Sequence, residues 1–314
     1  MPQLPRDAPL YVAGHRGLVG SAVLRHLQAH GFTNLITRTR SELDLRDPHA
    51  VDALFDAERP QYVFLAAAKV GGILANTTYP ADFLHQNLMI AANVIDATHR
   101  FEVAKLLNLG SSCIYPKLAP QPLREDALLT GPLEPTNRAY AIAKIAAIEL
   151  CDAYRTQHGR SFVSAMPTNL YGPGDNFDLQ SSHVLPALIH KAVEAKEAGA
   201  PNITVWGSGT PRREFLFVSD LADACLFLLE HVDEAGPINV GTGEDVTIRE
   251  LAELVCRTVG YEGELVFDAS KPDGTPRKLM DVTKLAGLGW KATTSLEDGV
   301  AKTVGWYLEQ QHDG

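Results

Sequence analysis

A doubly wound parallel β-sheet followed by a smaller α/β region is the fold class this 314-residue sequence predicts, and three observations predict it. Short apolar runs alternate with stretches of helical periodicity through the first half, a glycine-rich turn joins the first run to the first helix, and the alternation breaks after Pro167. Such alternation implies a parallel sheet covered on both faces, with ligands held outside the carboxyl ends of the strands.

Taken in order, Leu10–Ala13 (LYVA) is an apolar run halted by glycine, and Gly20–Gly31 (GSAVLRHLQAHG) places apolar residues at helical spacing up to a closing glycine. Leu35–Ile36 begins a second strand, Ala50–Glu58 reads as a helix, and Tyr62–Ala68 (YVFLAAA) reads as a fully buried strand. A long helix is expected over Pro80–Phe101, with Leu88, Ile90, Ala91, Val94 and Ile95 among its apolar positions, and Leu106–Leu109 is the next strand. Ala139–Tyr154 (AYAIAKIAAIELCDAY) is rich in Ala, Ile and Leu with Gly159 beyond it, which predicts a helix. Phe162–Met166 is one more strand, ended by Pro167. From Thr168 to Gly209 the chain is loop-rich, with one helix near Val184–Ala198. Phe215–Val218 and Ala222–Leu229 are expected to return to the first unit, whereas Ile248–Val259 and Ser295–Tyr307 supply helices of the second. The expected division is a dinucleotide-binding unit of the Rossmann type over residues 1–170, completed from within 215–245, and a substrate region over 171–314.

Bulk composition narrows the partners. A 45% hydrophobic composition supports a full core, and a formal charge of -10 argues against a nucleic-acid partner or an anionic membrane surface. The four cysteines, Cys113, Cys151, Cys225 and Cys256, show neither metal-ligand spacing nor a dense disulfide framework, which fits a reducing compartment. The opening MPQLPRDAPLYVAG lacks the apolar core of a signal peptide, and no segment approaches the ~18 apolar residues of a membrane span. A cytoplasmic, soluble protein is expected, with no metal.

The first strand-to-helix turn reads Gly14-His15-Arg16-Gly17-Leu18-Val19-Gly20, a G-x-x-G-x-x-G spacing. Glycines there let backbone N–H groups approach a pyrophosphate at the helix N-terminus; a tight turn without a ligand is the plain alternative. An NAD site usually carries an acid near the end of the second strand, where this chain has Thr37-Arg38-Thr39-Arg40. Arg38, Arg40 and Arg16 suit a ribose phosphate instead, so NADPH is the expected cofactor, with Asp44 and Leu45 beside its adenine. Leu109, Gly110, Ser111, Ser112 and Cys113 follow a buried strand and emerge at the carboxyl edge. If extended geometry continues, Ser111 and Cys113 face the same side, although a lone cysteine is ordinarily inert core. Tyr140 and Lys144 stand at i and i+4 on one helix face, where the cation favours the phenolate and draws the phenol down from ~10. A three-unit shift needs about 4 kcal/mol, more than an exposed pair supplies, so partial burial and a neighbouring cationic nicotinamide must assist.

The glycine turn, Ser111, Tyr140 and Lys144 together resemble the extended short-chain dehydrogenase/reductase superfamily. The longer stretches SSCIYP, EPTNRAYAIAK, MPTNLYGPGDNF, SSHVLPALI, VWGSGTPRREFL and PDGTPRKLMDVTKL are similar to its NADPH-dependent epimerase-reductases acting on GDP-4-dehydro-6-deoxy-D-mannose, over essentially the whole chain. The resemblance implies that Ser111 and Tyr140 bind the ketone oxygen at carbon 4, and that Lys144 tunes Tyr140 and holds the cofactor ribose. It implies that Cys113 and His183 exchange protons at carbons 3 and 5, both of which flank that ketone. Leu109 to Ser112, Pro167, Thr168, Asn169, Leu170 and His183 would line the nicotinamide end, and Lys191, Trp206, Arg213 and Asp273 would hold the GDP-sugar. Lys191 departs from the arginine common at that contact, exchanging a fork for a point charge. Dehydratase relatives carry an Asp-Glu pair near Ser112-Cys113, and its absence here counts against dehydration. Another NADP-dependent nucleotide-sugar epimerase or reductase is the nearest alternative; a cofactor-sensing binding protein would lack the complete Ser, Tyr and Lys set. A homodimer built on the Pro80–Phe101 and Tyr140–Tyr154 helices is the expected assembly.

Overall fold

The computed structural model describes residues 4–179, 181–271 and 273–312, so Pro272 of the PDG turn lies outside the described residues. The chain begins as β1 (Leu10–Ala13), α1 (Leu18–Ala29), β2 (Leu35–Ile36), α2 (Pro48–Glu58), β3 (Tyr62–Leu65), α3 (Ile73–Thr78), α4 (Pro80–Arg100), β4 (Lys105–Leu109), α5 (Arg138–His158) and β5 (Ser161–Pro167). It continues as β6 (Asn169–Tyr171), α6 (Val184–Glu197), β7 (Asn202–Trp206), β8 (Arg212–Arg213), β9 (Phe215–Phe217), α7 (Val218–His231) and β10 (Pro237–Val240). The last elements are β11 (Val246–Thr247), α8 (Ile248–Val259), β12 (Glu264–Asp268), β13 (Arg277–Lys278), α9 (Thr283–Gly287) and α10 (Leu296–His312).

Local signals account for several boundaries. Asp47 accepts from the His49 N–H at 2.9 Å and Pro48 opens α2, while Thr247 and Glu250 form a capping box at α8. Gly159, at φ 67°, closes α5 in the left-handed region. Helix α1 starts two residues before the expected Gly20, because the turn glycines already have the backbone to begin it. The third strand stops at Leu65 rather than Ala68, and the six-residue α3 was too short for a periodicity to show.

The central sheet has the order β10-β5-β4-β3-β1-β2, and every pair in it is parallel. Successive side chains alternate between its faces. Leu10, Val12 and Leu107 meet Val23, Leu27, Leu221 and Leu228 on one face. Tyr11, Val63 and Leu106 meet Phe55, Val94, Ile95 and Ala147 on the other. A separate apolar core gathers Leu185, Ile189, Val205, Phe215, Leu251, Val255, Val300 and Tyr307 from α6, β7, β9, α8 and α10. Strand β9 joins the two: Leu216 faces the first core, while Phe215 and Phe217 face the separate one. The doubly wound expectation holds: α7 packs on the main sheet as read from the sequence, whereas Phe215–Phe217, expected to return with it, pairs with β6 in a separate two-stranded sheet, and β10 adds the edge strand from within 215–245.

Candidate active site

Two glycines make the turn after β1 possible. Gly14 has φ +90°, and a Cβ there would stand 2.7 Å from the Ala67 nitrogen; at Gly20 a Cβ would come within 2.1 Å of the Gly14 carbonyl oxygen. The turn is therefore drawn against the end of β3, and α1 begins at Gly17 with no capping side chain and no acidic residue in its first turn. Gly14, His15, Arg16 and Gly17 line an open cleft of about 570 Å³ with Arg38, Thr39, Arg40 and Ser41. Leu18, Val19 and Gly20 belong to the first turn of α1 below it. Bare helix N–H groups and three arginines form a donor set that fits a pyrophosphate and a ribose phosphate.

The arginines are not equivalent. Arg38 is tied to the Glu58 carboxylate and donates to the Thr37 carbonyl at 2.8 Å, whereas Arg16 and Arg40 are exposed at the rim. Asp44 is gripped by Arg46, with Nε to Oδ1 at 2.9 Å, and that guanidinium holds its carboxyl down to about 2. Leu45 is buried in the core against α2 and α4, and its carbonyl accepts from Asn93 at 2.9 Å. The cleft lining ends at Ser41, so Asp44 and Leu45 are not among the residues that border it.

At the carboxyl end of β4, Gly110 passes so close to Met166 that a Cβ would meet its Cε at 2.2 Å, and the Gly110 N–H donates to the Ala165 carbonyl at 2.8 Å. Extended geometry continues through Ser111, at φ -164° and ψ 145°, and ends at Ser112. Ser112–Ile114 form a 3-10 turn capped by Ser111, whose Oγ accepts from the Cys113 N–H at 3.4 Å. The expected i, i+2 strand alternation of Ser111 and Cys113 is thus replaced by a turn, beyond the last β4–β5 pair of Leu109 with Ala165. The turn still keeps them together: the Ser111 hydroxyl and the Cys113 sulfur both act on the Tyr140 phenol.

Helix α5 presents Tyr140 and Lys144 on one side, with the Tyr140 ring edge-on to Phe83 at 6.3 Å. The Lys144 ammonium lies 5.8 Å from the centre of that ring and donates to the Leu109 carbonyl at 2.6 Å. Burial pushes the Tyr140 phenol well above its usual value and lowers Lys144 to about 8. This corrects the expectation that Lys144 draws the phenol toward neutrality. Desolvation outweighs the Ser111 hydrogen bond that opposes it, while the Lys144 ammonium is committed to the Leu109 carbonyl. The consequence is useful, since a phenol that stays protonated at neutral pH is ready to give its proton to an alkoxide.

His183 stands at the N-cap of α6, with an open side to solvent. Atoms packed around the rest of the ring, and then the Lys278 ammonium, hold its pKa below the usual imidazole value. Burial pushes the Cys113 thiol up, and Lys278 is the first group that opposes the rise. Lys278 was missed in the sequence, where nothing in PRKLMD marks it; only the pairing of β13 with β8 brings it here.

Pro167, Thr168, Asn169 and Leu170 cross from β5 to β6 beside this edge, and Asn169 Nδ2 donates to the Glu214 carbonyl at 2.7 Å. Glu214, also missed, is fully buried, and its carboxylate accepts from the N–H groups of Thr242 at 2.6 Å, Gly243 at 2.8 Å and Met280 at 2.8 Å. It braces the loops around the cleft. Lys191 donates to the Thr204 carbonyl at 2.9 Å and lies 5.9 Å from the Trp206 ring centre, with Lys271 at 5.4 Å from the same ring. Trp206 is 60% exposed, which suits a ring that receives a ligand rather than a core aromatic. Arg213 donates to the Asp273 carbonyl at 3.3 Å, while the Asp273 carboxylate takes the Ser208 N–H at 2.7 Å and its hydroxyl at 2.9 Å. Asp273 therefore pins the loop after Trp206 to the loop before β13.

A parallel sheet with a dinucleotide turn at its carboxyl edge defines the class as an NAD(P)-dependent enzyme. The chain belongs to the NAD dependent epimerase/dehydratase family, whose model matches residues 10–241. It is 61% identical over 306 residues to the putative GDP-L-fucose synthase 2 of Arabidopsis thaliana, covering 98% of this chain and 93% of that protein. It is 57% identical to the GDP-L-fucose synthase of Escherichia coli strain K12, covering 96% and 97%. Among solved structures, a GDP-L-fucose synthetase from Naegleria fowleri bound to NADP superposes with a TM-score of 0.92 at 32% identity, covering 99% of this chain and 96% of that one.

Proposed function

We propose that this enzyme converts GDP-4-dehydro-6-deoxy-D-mannose to GDP-L-fucose by epimerisation at carbons 3 and 5 and NADPH-dependent reduction at carbon 4. The observation that carries the reading is the meeting of Ser111, Cys113, Tyr140 and Lys144 at the carboxyl end of β4, with His183 under the same Lys278 charge. The activity named for the Arabidopsis thaliana and Escherichia coli relatives agrees with it.

Bound NADPH supplies the hydride for carbon 4. The residues around Gly14, Arg16, Gly17 and Arg40 would hold its phosphates, and Lys144, with two N–H donors beyond the one given to Leu109, would hold its ribose. Ser111 and Tyr140 hold the ketone oxygen, and the protonated phenol delivers its proton there as charge develops. The same two donors stabilise the enolate formed when a proton leaves carbon 3 or carbon 5. Cys113 and His183 exchange those protons. Lys191, Trp206, Arg213 and Asp273 form the GDP-sugar region, Asp273 by holding its loop and Arg213 by charge toward a diphosphate.

The division into a cofactor unit over 1–170, completed from within 215–245, and a substrate region from 171 is supported by the two separate apolar cores. No helix among the described residues is long and apolar enough to cross a membrane. We place the enzyme in the cytoplasm as a homodimer. The apolar faces of α4 and α5 are largely committed to the sheet, so a dimer would use the residues left over, such as half-buried Leu88 and Met89 and exposed Ile142. Light scattering at micromolar concentration tests this, a monomeric mass refuting it. The function itself is tested by supplying GDP-4-dehydro-6-deoxy-D-mannose with NADPH and identifying the product sugar. GDP-L-fucose is expected; a GDP-6-deoxyhexose unchanged at carbons 3 and 5 would make the protein a plain 4-reductase.

A further inference from the structure

We infer that Lys278 is a positioning residue for proton transfer: its ammonium, carried on the strand held against the Cys113 turn, stabilises the Cys113 thiolate in the form that abstracts a proton. The inference rests on the proposed reading of Cys113 as the base.

Tertiary pairing puts Lys278 there. Strand β13 runs parallel to β8 with Lys278 in register with Arg213, and the Glu214 N–H donates to the Lys278 carbonyl at 3.3 Å. The segment beyond it is bridged to Leu123, whose N–H donates to the Leu279 carbonyl at 2.7 Å and whose carbonyl accepts from Asp281 at 2.8 Å. Ile114, beside Cys113, and Met280, two residues past Lys278, share one apolar cluster with Leu123 and Met166. The stretch carrying Lys278 is thereby fixed against the turn carrying Cys113.

Among the described residues, no carboxylate forms a salt bridge with the Lys278 ammonium and no side-chain or backbone acceptor takes a hydrogen bond from it. Glu214, whose charge reaches Lys278, has its carboxylate oxygens engaged by Thr242, Gly243 and Met280. The ammonium is half-buried and holds no salt-bridged carboxylate, which leaves it able to stabilise a new anion, and the thiolate is the anion that can form beside it. The groups facing this cluster are Ser111 and Cys113 after β4, Tyr140 and Lys144 on α5, His183 at the start of α6, and Arg213 and Glu214 at β8 and β9. Burial raises the thiol, and Lys278 opposes that rise ahead of Ser111 and Lys144. The same charge lowers His183, which makes its protonated form the stronger acid.

In each epimerisation the thiolate takes the proton from the carbon beside the ketone and becomes a thiol, while the C–H electron pair moves into an enolate held by Ser111 and Tyr140. The His183 imidazolium gives a proton to the opposite face of that carbon and becomes neutral. One proton then passes from sulfur to imidazole through solvent to restore both groups. Lys278 keeps its own proton throughout.

The test follows iodoacetamide alkylation of Cys113 between pH 6 and 10 by peptide mass spectrometry, in the wild type, Lys278→Met and Lys278→Arg. An opposite charge at close range moves a pKa by roughly one to three units. Lys278→Met should raise the alkylation midpoint by about one unit and slow labelling at pH 7 about tenfold, with Lys278→Arg near the wild type. Deuterium exchange into carbons 3 and 5 should show the same upward shift of its pH profile. Lys278→Gln, read in the same way, serves if Lys278→Met fails to fold. An unshifted midpoint in a folded neutral variant overturns the inference, as does equal impairment by Lys278→Met and Lys278→Arg. If Cys113→Ser exchanges at the wild-type rate while the alkylation shift is present, Cys113 is not the base, yet Lys278 still controls its thiolate.

Discussion

Two buried lysines stand at opposite ends of β4, and burial pushes both down to about 8. At the amino end, Lys105 donates to three carbonyls around the end of α7: Leu228 at 3.1 Å, Leu229 at 2.7 Å and Val232. All three of its protons are used. At the carboxyl end, Lys144 donates to one carbonyl, that of Leu109, and lies beside Tyr140, Ser111 and Cys113. The two share one electrostatic signature and differ in what it serves. Lys105 closes a helix end, taking the Leu229 and Val232 carbonyls and sharing that of Leu228 with the Val232 N–H, whereas Lys144 keeps donors in reserve at the edge where a parallel sheet binds ligands. A perturbed pKa marks a functional site only when unspent hydrogen-bonding capacity accompanies it.

The largest effects should fall at the carboxyl end. Tyr140→Phe removes the proton donor while leaving its ring against Phe83, and NADPH oxidation should drop by roughly 10² to 10⁴ with cofactor binding retained. Lys144→Met should reduce the rate comparably and weaken NADPH binding as well; near-normal turnover in either variant would erase the contrast with Lys105. At the cofactor's phosphate end, Arg16 and Arg40 are exposed and form no salt bridge among the described residues, where Arg38 is tied to Glu58. A charge-assisted contact contributes about 1.5–3 kcal/mol, so NADPH should be preferred over NADH by roughly ten- to a hundredfold in catalytic efficiency. Replacing Arg16 and Arg40 together by Gln should remove most of that preference, and equal use of both cofactors by the wild type would contradict the phosphate reading.

The smallest effect belongs to Lys105, and it is one of stability. Its folded pKa lies below the ordinary ~10.5, so the unfolded chain binds more protons between about pH 8 and 10.5, and stability rises with pH across that window. The rise is at most ~1.4 kcal/mol per pH unit for each such group. Urea unfolding at pH 7.5 and pH 9.5 should show a flatter pH dependence for Lys105→Met, while its NADPH oxidation, measured where it is folded, stays within about twofold of the wild type. A loss of turnover as deep as that of Tyr140→Phe would place Lys105 in the machinery.

The sequence was most legible where function depends on local spacing. The glycine turn, the strand-helix rhythm and the i, i+4 pair each need only a few neighbouring residues, and each reads correctly as local structure. What stayed hidden depends on distant chain segments meeting. Lys105 was left outside its strand because a charged residue reads as a boundary, and only α7 explains its burial. Lys278 and Glu214 act through the pairing of β8 with β13, two strands of two residues with no periodicity to detect. The Ser111–Cys113 turn departs from strand geometry where the ladder ends, and the Tyr140 shift reverses because burial around Phe83 is a tertiary fact.

The central claim is that the carboxyl edge of β4 runs proton exchange and reduction as separable steps on one ketone. It is tested most directly by Cys113→Ser, which keeps size and shape but replaces an ionisable thiol with a hydroxyl that hardly ionises. Wild type and variant are incubated with GDP-4-dehydro-6-deoxy-D-mannose and NADPH in deuterated water, and deuterium at carbons 3 and 5 is compared with NADPH oxidation in the same sample. The account predicts that the variant incorporates much less deuterium while still oxidising NADPH slowly, yielding a GDP-6-deoxyhexose unepimerised at both carbons. Deuterium entering both positions at the wild-type rate would contradict it and return Cys113 to the role of a buried core thiol.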